Sequence, residues 1–465
     1  MKRLLLAMFC VGNAWAWWSP SIDLGLSGVD DIHPQACRVQ SHGYGRLAMV
    51  WESYLDGNAD IVSRFSSGPA WSDTFRVTAD PGHDICPSIA YDYTRDCFWC
   101  VWRRYGAAGA GIYVAQGNEM TGWSAAYQLT SDTLFEDLPS VCVIHDTVWI
   151  VWQRGALFGD SISFMNIHAA YYDGSVWSPP CPLTSDSNVI NRRAKVGMRY
   201  PHPLVVWERD GDIYYCEHIG GSWHTAQPVT ADIHENINPD LAHGGDLFGA
   251  GAWIVWQTDR DGNYEIYTTA YDTFDVHYRV TFNDAADITP SPLQFQAATR
   301  QGGPPVTAFS SDRNGNQDIY THFNLWPSWD TLLQVDTSQV DDISPVMTAS
   351  PHYLWVIWQT DRDGDWDIYG SYMGIGGIEE HGLAAMRSAP HIFPNPAKAS
   401  FILHSAMPVQ GIRIYDVLGR LVRTRVFAEF RGMEEISLTG VNAGVYFVIV
   451  ATNEDEFISK IIVTK

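Results

Sequence analysis

The apolar positions of this chain fall in short runs punctuated by Gly, Pro, Asp and Asn. That pattern predicts short strands joined by turns, not long helices. One unit recurs. "VWESYLDGNADIV" starts at Val50, "VWERDGDIYY" at Val206, "VWQTDRDGNYEIY" at Val255 and "AFSSDRNGNQDIY" at Ala308, and "VIWQTDRDGDWDIY" runs from Val356 to Tyr369. Weaker copies start at Val101 and Val151. The aligned aromatics are Trp51, Trp102, Trp152, Trp207, Trp256, Phe309 and Trp358, seven copies at a period of roughly fifty residues.

Each copy carries two further marks. A second aromatic and a Leu/Val-Thr pair follow, as in "AWSDTFRVTAD" and "SWHTAQPVTAD". Next come an acidic or amide residue, a Pro and an apolar run, as in "DICPSIAY" and "DISPVMT". Four strands per unit, repeated seven times, predict an all-β seven-bladed β-propeller. The last unit lacks a fourth strand after "DIYGSYM", whereas "WWSPSIDLGLSGVDD" at the start looks like one. Residues 17–28 are therefore expected to complete the last blade and close the ring, leaving no free edge.

The tandem Ser/Thr-Asp-Arg-Asp-Gly-Asn-x-Asp-Ile-Tyr pattern resembles the propeller repeats of the TolB type (WD40-like repeats), over residues 17 to 373. That resemblance implies an interaction surface. The sialidase-type Asp box, Ser-x-Asp-x-Gly-x-x-Trp, has no copy here, and neither has the Phe/Tyr-Arg-Ile-Pro segment.

After a Gly- and Ala-rich linker over residues 374–388 the pattern changes. Residues 389–465 alternate as strands without the repeat and predict a small Ig-like β-sandwich. Pro394-Asn395-Pro396, "IRIYDVLGRLV" from Ile412, "LTGVNAGVYFVIV" from Leu438 and the final "KIIVTK" resemble the C-terminal sorting domain of the type IX secretion system. The resemblance implies the type IX machinery as a partner, and passage to the outside or the cell surface.

Composition agrees with export. Lys2 and Arg3, then "LLLAMFCVG", then "AWA" ending at Ala16 read as a signal peptide over residues 1–16. Its apolar part is too short to span a bilayer, so no transmembrane segment is expected in the mature chain. The net charge of -24 repels phosphate backbones and anionic lipid, which argues against nucleic acid. Cys37, Cys86, Cys97, Cys100, Cys142, Cys181 and Cys216 are odd in number and scattered, unlike a disulfide framework. Cys97 and Cys100, three apart on an expected strand, point to opposite faces and cannot share a zinc ion.

Candidate chemistry gathers where strand one begins. Three positions before each Pro or its equivalent stand Asp31, Asp84, Glu136, Asn191, Asn236, Asp287 and Asp342. They are expected to ring the channel mouth, either binding Ca²⁺ or a polyhydroxylated ligand, or capping their own turns. Arg192 and Arg193 interrupt the pattern, either to hold an anionic group such as a sugar carboxylate or to neutralise nearby carboxylates. Asp361, Asp363 and Asp365 are spaced like a calcium loop, but Gly364 comes too early for an EF-hand, and the Asp-Gly pairs fit hairpin turns. The connection "QRGALFGDSISFMN" is expected to project above the same face. The repeated Trp residues read as core between blades.

No Gly-x-Ser-x-Gly elbow or His-Glu-x-x-His is present, and no catalytic residue is assigned. The reading inclines away from an enzyme, toward a non-catalytic module that binds an extracellular protein or glycan. The alternatives are a glycan-active hydrolase with carboxylates at the channel mouth, and a structural surface protein.

Overall fold

The computed structural model describes residues 18–38, 46–106, 110–131, 134–158, 161–199, 201–242, 252–270, 274, 276–293, 305–325, 328–350, 353–374, 391–393, 400–404, 409–417, 419–427, 433–452 and 456–463. The signal peptide, all but the first residue of the linker, and the Pro394-Asn395-Pro396 motif lie outside them. Among the described residues there is no helix, and hence none long and apolar enough to cross a membrane. The chain divides into two compact units, Met1–His322 with Leu332–Ile375, and Gly376–Lys465 with Phe323–Thr331.

The repeats form antiparallel sheets of four or five strands, numbered here one to seven by their first strands. Those first strands are Asp31–Arg38, His83–Asp92, Phe135–Ile144, Asn191–Arg199, Asn236–Ala242, Asp287–Leu293 and Asp342–Ala349. The second strands are Arg46–Leu55, Cys97–Tyr105, Thr147–Phe158, His202–Arg209, Trp253–Thr258, Val306–Ser311 and Tyr353–Thr360. The third are Asn58–Ser67, Gly111–Asn118, Ser161–Tyr172, Asp212–Ile219, Glu265–Ala270, Asp318–Leu325 and Asp367–Gly374. Most fourth strands are short, as in Phe75–Arg76 and Tyr278–Arg279, whereas that of sheet six runs over Ser328–Gln334.

Sheet seven takes its fourth strand from the N-terminal segment. Ile22 lies opposite Gly370 and Asp23 opposite Tyr369, in the sheet that holds Trp358. The regular strand is only Ile22–Asp23, shorter than the expected residues 17–28. Leu24 continues the docking, donating its N–H to the Ile368 carbonyl at 2.7 Å.

Second strands are buried on both faces, which is why they read as continuous apolar runs. Their side chains fill clusters between successive sheets. Ala48, Val50 and Ile61 of sheet one meet Phe98, Cys100 and Trp102 of sheet two. Trp355, Ile357 and Ile368 of sheet seven meet Leu47, Met49 and Trp51 of sheet one, with Leu24 among them. The seven repeated aromatics are all 0% exposed, so the indoles are core. Cys97 and Cys100 belong to different clusters on the two faces of one strand.

The Asp-Gly pairs make the tight hairpins. Asp56 and Gly57 have φ of 55° and 94°, and Asp210 and Gly211 have 48° and 89°, the two positive values that a two-residue type I′ turn requires. In sheet seven the turn is longer, and Gly364 at φ 96° donates its N–H to the Asp361 carbonyl at 3.2 Å. The expected loop in sheet three is instead a lengthened hairpin of two 12-residue strands, bulged between Ala156 and Leu157.

In the second unit, sheets of three and four strands enclose one core, including Phe401, Leu403, Ile414, Ile436, Val448 and Ile461.

Candidate active site at the cavity mouth

Every first strand of sheets one to seven is bulged at the same place. The register slips between Ile32 and Gln35 in sheet one, between Ile85 and Ser88 in sheet two, and at the matching step in the other five. The third residue of each segment takes positive φ: His33, Cys86, Leu138, Arg193, Asn238, Thr289 and Ser344, all between 47° and 54°. None is glycine, and that backbone region is costly for other residues. A bulge re-aims the side chains beside it. Here it turns the third residue toward a cavity of about 550 Å³ lined by the first strands.

The same bulge withdraws the residue two positions earlier. Asp31, Asp84, Asn191, Asn236, Asp287 and Asp342 are 0% exposed and Glu136 is 4% exposed. The expected ring of ligand oxygens around the opening is corrected: these side chains point into the sheets. Trp102 Nε1 donates to Asp84 at 2.7 Å, Trp152 to Glu136 at 3.0 Å, Trp207 to Asn191 at 3.0 Å and Trp256 to Asn236 at 3.2 Å. Arginines complete the shell, with Arg104 bidentate on Asp84 at 2.7 and 2.8 Å and Arg313 on Asp287 at 2.7 Å. Arg362 reaches Asp342 at 3.1 Å. Burial raises the carboxyl pKa of Asp84, Asp287 and Asp342 while these arginines oppose it, and of Glu136 while Thr130 and Trp152 oppose it.

A second set of side chains reaches between sheets. In five of the seven copies the residue after the repeated aromatic accepts the N–H of the positive-φ residue in the next sheet. Glu52 takes Cys86 N–H at 2.6 Å, Gln153 takes Arg193 at 3.0 Å, Glu208 takes Asn238 at 2.7 Å, Gln257 takes Thr289 at 2.8 Å and Gln359 takes His33 at 3.0 Å. A buried N–H needs such a partner. These acceptors lie outside the sequence expectations above. Their signal was present, because Glu or Gln follows the aromatic in five of the seven copies.

Two of the acceptors are carboxylates that also hold basic side chains at the mouth. His33 Nδ1 lies 2.7 Å from Glu52 Oε1, with the His33 side chain 53% exposed and that of Glu52 2%. Burial lowers the imidazole pKa, but the hydrogen bond to Glu52 and the charges of Glu52 and Asp137 together raise it above the ordinary value. Arg192 Nε reaches Glu208 at 2.6 Å, and Arg193 contacts both Glu208 oxygens at 3.0 Å. The expected arginine pair is therefore brought together on one buried carboxylate. Arg193 lines the cavity with Lys195, Asp240 and His33. An imidazole oriented by a carboxylate can transfer protons near neutral pH, and half-exposed guanidinium groups can receive an anion.

Asp361 and Asp363 are exposed on the sheet-seven turn, where Tyr369 donates to Asp363 at 3.0 Å, and Asp365 is half-buried beside them. Among the described residues, no three His, Cys, Asp or Glu side chains are placed as a group to hold a metal ion.

Residues 391–464 match the family described as the Secretion system C-terminal sorting domain. Among curated proteins, none matches the chain. Solved structures of similar shape include a protein of unknown function from Dyadobacter fermentans, at 11% identity and TM-score 0.45, covering 77% of this chain and 100% of that one. The Hadza microbial sialidase Hz136 follows at 13% identity and TM-score 0.43, covering 68% and 73%. The intramolecular trans-sialidase from Ruminococcus gnavus has 12% identity and TM-score 0.42, covering 79% and 99%. At these identities the likeness is one of all-β, propeller-like fold. The expectation of a non-catalytic binding module is corrected nonetheless. The mouth carries buried carboxylates paired with basic groups, an arrangement capable of acid–base chemistry. The matched tail implicates the type IX secretion machinery as a partner and is consistent with export to the cell surface or beyond.

Proposed function

We propose that this chain is an exported, glycan-active hydrolase whose chemistry sits at the cavity mouth. The His33–Glu52 contact carries the reading. Glu52 takes the Nδ1 hydrogen, which leaves Nε2 as the nitrogen that exchanges a proton with the glycosidic oxygen. The raised imidazole pKa supports His33 as the general acid, because the protonated form then persists toward neutral pH. Arg192 and Arg193 receive an anionic substituent such as a sugar carboxylate, with Glu208 fixing both guanidinium groups.

The rest of the architecture is inferred with it. The seven sheets close as a seven-bladed propeller of the TolB-like type over residues 17–373, with the packing of Asp342–Ala349 against Asp31–Arg38 in support. A linker over residues 374–388 leads to an Ig-like sorting domain over residues 389–465, after loss of a signal peptide over residues 1–16. The test is a screen of chromogenic glycosides, neutral and carboxylated, with the purified chain. Turnover that falls in His33→Ala, with KM raised in Arg193→Ala, supports the proposal. No turnover of any glycoside would sink it.

A further inference from the structure

Five of the seven sheets carry a second acid near the start of strand three, Asp60, Asp212, Glu265, Asp318 and Asp367, and the first four are supplied with partners. Asp60 in sheet one has Arg76 of strand four at 2.5 Å and Thr78, just beyond that strand, at 3.1 Å. Glu265 in sheet five has Arg279 at 2.9 Å and Thr281 at 2.5 Å. In sheet seven the acid is Asp367, and its fourth strand is the N-terminal one. Asp23 lies opposite Tyr369, as Arg76 lies opposite Val62 and Arg279 opposite Tyr267. Gly25 then falls where Thr78 and Thr281 stand. The arginine has become an acid, and the hydroxyl has gone.

Sheet one has lost its own arginine at the same seam. Arg104 and Arg154 stand two positions after their tryptophans, and Arg313 and Arg362 four positions after their aromatics; after Trp51 those positions hold Ser53 and Leu55. Asp31 is left to the Leu26 N–H at 2.5 Å, with Ser53 and Trp51 beside it. Gly25 shows how close the two acids come. A Cβ there would lie 2.7 Å from Asp31 Oδ2 and 3.5 Å from Asp367 Oδ1. Asp367 is 4% exposed, and its Oδ1 has no hydrogen-bond partner. Of the neighbouring charges, Asp363 and Asp365 add repulsion. Arg64 reaches the Gly25 carbonyl at 3.4 Å, and Arg362 is engaged by Asp336 and Asp342.

We propose that this seam binds a divalent cation, Ca²⁺, through Asp31, Asp367 and Asp23, where sheets one and five place an arginine beside the strand-three acid. A buried carboxylate without a partner is costly, and it is relieved either by a proton or by a cation. A proton alone would explain one acid without a partner. It does not explain a third acid, Asp23, at the position that holds arginine in sheets one and five. Oxygen ligands with several carboxylates suit Ca²⁺. Asp23 now accepts the Gly25 N–H at 2.9 Å and must turn inward to complete the set. The ion would then fasten the N-terminal strand to sheet seven.

The experiment is calorimetric titration and thermal melting of the full chain at pH 8, with CaCl₂ or with EDTA. One ion per chain should bind and raise Tm, with a smaller rise at pH 5. Asp367→Asn should weaken binding at least tenfold, on the order of 1.4 kcal/mol, while Asp361→Asn on the exposed turn leaves it unchanged. Asp23→Asn, at a largely exposed position, serves if Asp367→Asn does not fold. Stability that rises on acidification but ignores Ca²⁺ at pH 8 would overturn the proposal in favour of a bound proton. A Ca²⁺ response retained in Asp367→Asn or Asp23→Asn would overturn it equally.

Discussion

Gln359 accepts the backbone N–H of His33 at 3.0 Å, across 326 residues of chain. The same His33 gives its ring Nδ1 to Glu52 at 2.7 Å. The backbone of this residue is thus held from sheet seven and its ring from sheet one, while its φ of 52° sets its direction. Gln359→Leu should therefore cost about 1–3 kcal/mol, because a buried N–H loses its acceptor. Urea unfolding measures the loss. Turnover should fall with it at temperatures where the variant stays folded, since the imidazole is no longer fixed.

The pH profile of hydrolysis should report the Glu52 contact. With a raised imidazole pKa, the acid form is present below that value, and kcat should fall as pH rises through it. Glu52→Gln removes the charge that supports the imidazolium, so the falling limb should move to lower pH. His33→Ala should lower kcat by roughly 10²–10⁴-fold, the usual contribution of a general acid. An unchanged profile in Glu52→Gln would show that another group supplies the proton.

Stability without added Ca²⁺ should decline as pH rises toward 8. A carboxyl whose folded pKa exceeds its unfolded value stabilises fully below the unfolded value, and that contribution is lost as pH rises through the folded one. For Asp31 and Asp367 the window runs from the ordinary 3.8 to about 6 and about 7. Asp367→Asn should flatten the upper part of this slope in thermal melts taken from pH 5 to pH 8.

Sheet six is the natural test of the buried acid shell. Its aromatic is Phe309, which has no indole N–H, and Asp287 relies on Arg313 at 2.7 Å and Asn283 at 2.6 Å. Arg313→Ala should destabilise by about 3 kcal/mol, because the acid left behind is 0% exposed. A loss below about 0.5 kcal/mol in urea melts, typical of a surface pair, would mean that Asp287 finds other partners.

Much of the fold was legible in the repeat. The aromatic at one strand position, the Asp-Gly turn and the Thr of strand four each act within a few residues, so their periodicity shows in the chain. The N-terminal partner of sheet seven was legible too, since one end lacked a strand and the other supplied it. The length of the sheet-three hairpin was not, because continued pairing beyond Trp152 depends on cross-strand contacts.

The site divides along the same line. Sequence alone determined the seven units, the turns, the tail and the clustering of acids before strand one, since each follows from local pattern. Only the tertiary structure decided which way those acids face. The bulge that buries Asp84 and presents Cys86 falls on His, Cys, Leu, Arg, Asn, Thr and Ser alike, so residue type cannot announce it. In five of the seven cases what holds that backbone is the side-chain oxygen of a Glu or Gln from the neighbouring sheet. The missing arginines around Asp31 and Asp367 became meaningful only when the first and last repeats were seen to meet.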